Sequence, residues 1–115
     1  MLNCTVYVEE SEIGITGRDP VVIPSASVRL RENNELFDRI NRLGPKELPG
    51  DLMIVAYGEQ EIRTDEDGYS EQLLYLRGSD LRKLVAPREA GAWNKFAVKM
   101  LSSLPREAVA VLYWD

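Results

Sequence analysis

Six carboxylates between positions 59 and 71, on Glu59, Glu61, Asp65, Glu66, Asp67 and Glu71, form the densest run of oxygen ligands in the chain. Oxygens so spaced suit two tasks, holding a cation or attracting a basic partner. A calcium loop of the EF-hand type needs oxygens at alternating early positions, glycine at the sixth and a bidentate glutamate at the twelfth. With Asp65 and Asp67 at the third and fifth positions, Gly68 suits the sixth, but Arg63 then falls at the first and Leu74 at the twelfth. The pattern fails at both critical places. The segment reads as a solvated hairpin tip, and no metal is expected in it.

Other reactive arrangements are equally incomplete. The chain has no histidine and one cysteine, Cys4, which removes the commonest proton shuttle near neutral pH and most nitrogen or sulfur metal sites. Cys4 falls in an alternating apolar pattern, where the thiol serves as a small buried hydrophobe. Glu10 and Glu12 share one side of an extended segment and form the plausible acid–base pair of the first acidic group, which also contains Glu9. Nothing in the sequence desolvates either one, so a soluble strand edge is the simpler reading. The serines have no histidine partner, no G-x-S-x-G elbow and no S-x-x-K, and the glycines form no phosphate-binding fingerprint. No catalytic residue and no cofactor is expected.

Arg77, Arg82, Lys83 and Arg88 gather around one short segment, and Lys95, Lys99 and Arg106 continue the positive character. Such a stripe could contact a phosphodiester backbone, with Tyr75 or Trp114 stacking on bases. Glu89 interrupts it, and 19 acidic against 14 basic residues give a net charge of −5. The balance argues against nucleic acid and for a solvated helix face. Five tyrosines, at 7, 57, 69, 75 and 113, suit half-buried strands and also interfaces, because each ring carries a hydroxyl. Trp114, near the end of the last strand, is expected as a core plug or an interface anchor.

The elements that position these groups follow from periodicity. Leu2, Cys4, Val6 and Val8 alternate with polar neighbours, the period of a half-buried strand. Ile13 to Ile15, Val21 to Ile23 and Ser27 to Leu30 offer short extended segments. Asn33 or Asn34 caps a helix running to Leu43, with Leu36, Ile40 and Leu43 on one face and Gly44-Pro45 as its stop. Lys46 to Gly50 reads as a loop. Leu52 to Tyr57 is an apolar run suited to a strand buried on both faces, extended by Glu59 to Arg63. A reversal near Asp65 to Gly68 leads into a strand from Gln72 to Arg77. Ser79-Asp80 starts a short helix, and Arg88 to Ser103 a longer one, whose Trp93, Phe96, Ala97, Met100, Leu101 and Leu104 form one broad apolar face toward the core. Lys95 and Lys99 project from nearly the opposite side. Ala108 to Trp114 forms a last strand, apolar on both faces.

Together these predict a single α+β domain over residues 1–115: a mostly antiparallel sheet with one long and two shorter helices packed mainly on one face, a two-layer sandwich. Two strands apolar on both faces exceed what three helices cover, so loops, curvature or another subunit must cover the rest, and a homo-oligomer is expected. One cysteine makes no intramolecular disulfide, no charged and apolar leader opens the chain, and no apolar run nears the ~20 residues of a spanning helix. A cytoplasmic protein that does not enter membranes is expected.

The functional expectation is a non-enzymatic interaction module, of the immunity or inhibitor type, that covers a basic surface on a protein partner. Tyr57, Glu59, Glu61, Asp65, Asp67, Tyr69 and Trp114 are its expected contact surface. One alternative is a small-molecule-binding protein or histidine-free enzyme, with a pocket between sheet and helices built from Tyr57, Tyr75, Trp93 and Glu59 or Glu61. The other is nucleic-acid binding through the basic helix face.

Overall fold

A computed structural model describes residues 2–9, 21–22, 26–48, 53–57 and 61–115, with the backbone alone described at 21–22, 53–57 and 61–63. Its centre is β1 (Cys4–Glu9), in which Cys4, Val6 and Val8 are buried while Thr5, Tyr7 and Glu9 are half-buried on the other face. That is the outcome the alternating pattern requires. β1 pairs antiparallel with β3 (Ala26–Leu30) on one side and with β8 (Val109–Trp114) on the other. β8 pairs antiparallel with β7 (Leu74–Arg77), and β7 with the two-residue β4 (Lys46–Glu47), giving the order β3-β1-β8-β7-β4. A second sheet joins β2 (Val21–Val22), parallel, and β6 (Glu61–Thr64), antiparallel, to β5 (Met53–Tyr57).

Three helices cover one face of the five-stranded sheet. In α1 (Asn34–Arg42), Asn33 caps the first turn by accepting the Leu36 N–H at 2.9 Å, and Leu36, Phe37 and Ile40 are buried. α2 (Gly78–Leu81) is a single turn in which Asp80 reaches back to accept the Arg77 N–H at 3.0 Å. α3 (Ala92–Leu101) buries Ala97, Val98 and Leu101. These side chains close on Cys4, Val6, Val8, Leu30, Leu76, Ala110 and Leu112 to form the main core. The α+β architecture with helices on one face is the expected one, although the longest described helix has ten residues.

Four local expectations are corrected. The last helix begins at Ala92, not Arg88, because Gly91 enters it at φ 87°, a left-handed conformation that ends helical propagation backwards. Lys46 and Glu47 are strand rather than loop, pairing with Tyr75 and Leu74. Glu61 to Thr64 does not extend β5 but doubles back along it, with Tyr57 opposite Glu61. β6 and β7 lie in different sheets, and only the isolated bridge between Glu66 and Gln72 joins their approaches.

The apolar face assigned to the last helix is also divided differently. Trp93, Phe96 and Met100 are 42%, 54% and 36% exposed, Trp93 Nε1 donating to the Arg29 carbonyl at 2.6 Å, and Lys95 and Lys99 are exposed as well. The core takes the arc of smaller residues, among them the buried amide of Asn94. Asn94 Oδ1 accepts the Arg31 N–H at 2.9 Å and Nδ2 donates to the Arg31 carbonyl at 3.1 Å, so one side chain meets both backbone groups just beyond β3.

On the face away from the helices, Val109 and Val111 are fully buried with Leu48 and Leu73. Tyr7, Tyr75 and Tyr113 pack around them, and the rings of Tyr7 and Tyr113 meet edge to face at 6.1 Å. Both faces of β8 are therefore covered within the chain, and that strand offers no argument for a second subunit. Among the described residues no helix is long and apolar enough to cross a membrane.

Candidate functional site

Where α1, the 67–72 turn and the ends of β4, β7 and β8 converge, a cleft of about 810 Å³ opens. α1 presents Asn34, Phe37, Asp38 and Asn41 to it, the i, i+3, i+4 and i+7 positions of one helical stripe. Leu2, Leu74 and Trp114 add apolar wall from the approach to β1, from β7 and from the end of β8. Phe37 stands edge-on to Trp114 with ring centroids 4.9 Å apart, which joins the helix to the last strand at the floor. Glu47 enters from β4, and Asp67, Tyr69, Glu71 and Gln72 from the turn.

The turn is braced on three sides. Asp67 Oδ1 accepts the N–H groups of Tyr69 at 2.8 Å and Glu71 at 3.1 Å, the local bonding that makes aspartate a turn former. The Gly68 N–H donates to the Trp114 carbonyl at 2.8 Å, mooring the tip to β8. Gln72 Nε2 donates to the Leu48 carbonyl at 2.9 Å, mooring its base beside β4. Tyr69 and Glu71 are thereby held exposed at the cleft rim rather than swinging on a loose loop.

Among the described residues four carboxylates, those of Asp38, Glu47, Asp67 and Glu71, line the cleft, and no lysine or arginine does. Their fields add within one concave surface. Three aromatic residues share the lining, Phe37, Tyr69 and Trp114. Aromatic faces and carboxylates both attract cations, and the apolar walls suit the methylene stem of a lysine or arginine. The chemistry on offer is capture of a cationic group.

Of the expected contact residues, Asp67, Tyr69 and Trp114 come together in this cleft, while Asp65 lies exposed on the approach to the turn. Glu59 and the side chains of Tyr57 and Glu61 lie outside the described residues, as does the Glu10–Glu12 pair. Of the described aromatic members of the alternative pocket, Tyr75 packs on the sheet face opposite the helices, while Trp93 is on α3. Arg77 leaves the basic stripe, its guanidinium lying 5.8 Å over the Tyr75 ring. Phe37, Asp38 and Glu47 were not foreseen at a site. The one sequence signal for Asp38 and Asn41 is that they flank the apolar stripe of α1.

Among the described residues no group of three histidine, cysteine, aspartate or glutamate side chains converges to hold a metal ion. Cys4 is remote from reactive chemistry, since burial pushes its thiol from the ordinary 9.0 up to about 12. Because the native value lies above the unfolded one, the folded state keeps a proton that the unfolded chain releases. This contribution is complete below pH 9 and is lost as the pH rises from there toward 12. Raising the pH to 10 is expected to cost wild type about 1.4 kcal/mol more than Cys4→Ala, read as the shift in guanidinium midpoint between pH 7 and 10. Equal shifts in the two proteins would refute it.

No protein-family model, curated protein or solved structure matches this chain.

Proposed function

We propose that the chain is a non-enzymatic interaction module whose acidic, aromatic cleft receives a basic patch of a protein partner, in the manner of an inhibitor or immunity protein. The observation that carries this reading is the one-signed lining among the described residues: Asp38, Glu47, Asp67 and Glu71 around Phe37, Tyr69 and Trp114, without a described cation among them. Long-range attraction would speed encounter with a basic surface, and the rings and apolar walls would hold an inserted arginine or lysine. Cytoplasmic location, and the self-association expected from strands apolar on both faces, belong to the same proposal.

Asp38 and Glu71 provide the test, because both are exposed and neither side chain is committed to a hydrogen bond or ion pair. Asp67 is unsuitable, since its carboxylate builds the turn. A tetra-arginine peptide should bind the wild-type chain by titration calorimetry, with affinity falling as salt rises through about 0.1 M, where the screening length is ~10 Å. The double variant Asp38→Lys, Glu71→Lys is expected to lose at least about tenfold in affinity, roughly 1.4 kcal/mol, while keeping its fold by circular dichroism. Equal binding by wild type and variant would refute the assignment.

The cleft volume supports a second reading, a small amine as ligand, since about 810 Å³ lies within the ~300–1,000 Å³ usual for ligand pockets. Salt separates the two, because a single buried ammonium is screened far less than an extended basic surface.

A further inference from the structure

α3 leaves apolar surface in water, although the Trp93 indole N–H is held by the Arg29 carbonyl at 2.6 Å. Trp93, Phe96 and Met100, at i, i+3 and i+7, form an outward row, and the neighbouring Val85 is 67% exposed. The rings of Trp93 and Phe96 lie 6.0 Å apart. Arg39 Nη1 donates to the Val85 carbonyl at 2.9 Å, tying the segment beside α3 back to α1. Between that segment and α3 runs a groove of about 550 Å³ whose only charged lining residues, among the described ones, are Lys95 and Lys99. Among the described residues the molecule therefore carries an apolar, aromatic groove lined by positive charge in addition to an apolar, aromatic cleft lined by negative charge.

We infer that these two surfaces are each other's partner: the α3 face of one copy docks in the acidic cleft of a second copy. The inference rests on the cleft's being a site for basic surfaces, and it names the partner as another molecule of this chain. Charge complementarity selects this arrangement over a symmetric α3–α3 contact. The symmetric contact would press Lys95 and Lys99 against their own counterparts, and like charges facing each other across an interface are strongly unfavourable. Seating α3 in the cleft instead places both lysines among Asp38, Glu47, Asp67 and Glu71, and covers Phe96 and Trp93 with aromatic and aliphatic wall.

The two surfaces share no lining residue. α3 packs beside β3 at one edge of the five-stranded sheet, whereas β7 and β4, at the other edge, help wall the cleft. One molecule can thus give its helix and receive another at the same time. Such a head-to-tail contact produces a ring or an open chain according to its rotation.

Sedimentation velocity on the full chain tests this. At about 50 mM salt the wild-type protein should sediment at twice the monomer mass or more, returning to monomer near 500 mM as screening tightens to a few ångströms. Two variants then separate the halves of the contact. Lys95→Glu with Lys99→Glu removes the inserted face, Asp38→Lys with Glu71→Lys removes the receiving one, and each alone should remain monomeric at low salt. Mixed in equal amounts, they should associate again, because the unaltered α3 face of the second variant meets the unaltered cleft of the first, and the reversed face and reversed cleft meet with opposite charge. Each variant's fold is checked by circular dichroism, and Phe96→Ser, at an exposed position, repeats the loss without altering charge. A wild-type monomer at low salt, a variant that associates alone, or a mixture that stays monomeric would each overturn the inference. Binding of tetra-arginine by a strictly monomeric wild type would overturn self-docking while leaving the cleft reading intact.

Discussion

Gly78→Ala should unfold this protein more readily than any other exchange of one hydrogen for one methyl group at a described glycine. A Cβ at position 78 would fall onto the carbonyl carbon and oxygen of Pro105. Both are backbone atoms, so no side-chain rotation relieves the overlap. The Gly78 N–H donates to the Ala108 carbonyl at 2.8 Å and the Ser79 N–H to the Arg106 carbonyl at 3.1 Å, and these bonds draw the two segments together. Separating them would strain both bonds and the adjoining register of Arg77 opposite Val109. Overpacking of this kind costs about 3 kcal/mol or more, equivalent to a Tm lower by roughly 10 °C. Gly44→Ala makes a useful comparison, because nothing lies within 4 Å of the added carbon and the penalty there is backbone strain at φ 76° alone. Thermal melts in which the Gly78 variant lost less than the Gly44 variant would contradict this account.

The second large effect is expected at Asn94. Its amide is the buried polar side chain on the core side of α3, and it satisfies both the N–H and the carbonyl of Arg31. Asn94→Leu preserves bulk and improves helix propensity, yet it strips two backbone groups of their partner. The loss should be about 2–3 kcal/mol, measured by urea denaturation. Asn94→Asp separates the two bonds: it keeps the acceptor for the Arg31 N–H and loses the donor toward the Arg31 carbonyl. Its deficit should shrink in acid, where the carboxyl regains a proton to donate. A leucine variant as stable as wild type would show that the amide merely fills space.

Local features were readable from the chain. The alternation of Cys4, Val6 and Val8 fixed both a strand and its buried side, and Asn33 with Gly44 bounded α1, because caps and strand faces depend on neighbours a few residues away. α3 was legible as a helix but not in its orientation. Apolar residues nearly encircle it, and only the space left by β3 and α1 decides that Ala97, Val98 and Leu101 go in while Trp93, Phe96 and Met100 stay out. The cleft was legible in part. Asp67, Tyr69 and Trp114 marked an acidic and aromatic surface, but Phe37, Asp38 and Glu47 join them only through tertiary placement. β7 pairs with β4 on one side and with β8 on the other, and no sequence spacing announces that neighbourhood.

The position of β8 sets a timetable for the molecule. Of the eight described strands it comes last in the sequence, yet it lies between β1 and β7 and bonds to both. On a ribosome that has released only the first hundred residues, β1 has β3 alone beside it and its other edge stands open. Assembly of the large sheet must then wait for residues 109–114, so an interrupted synthesis leaves a bare strand edge, the kind of template on which chains adhere to one another.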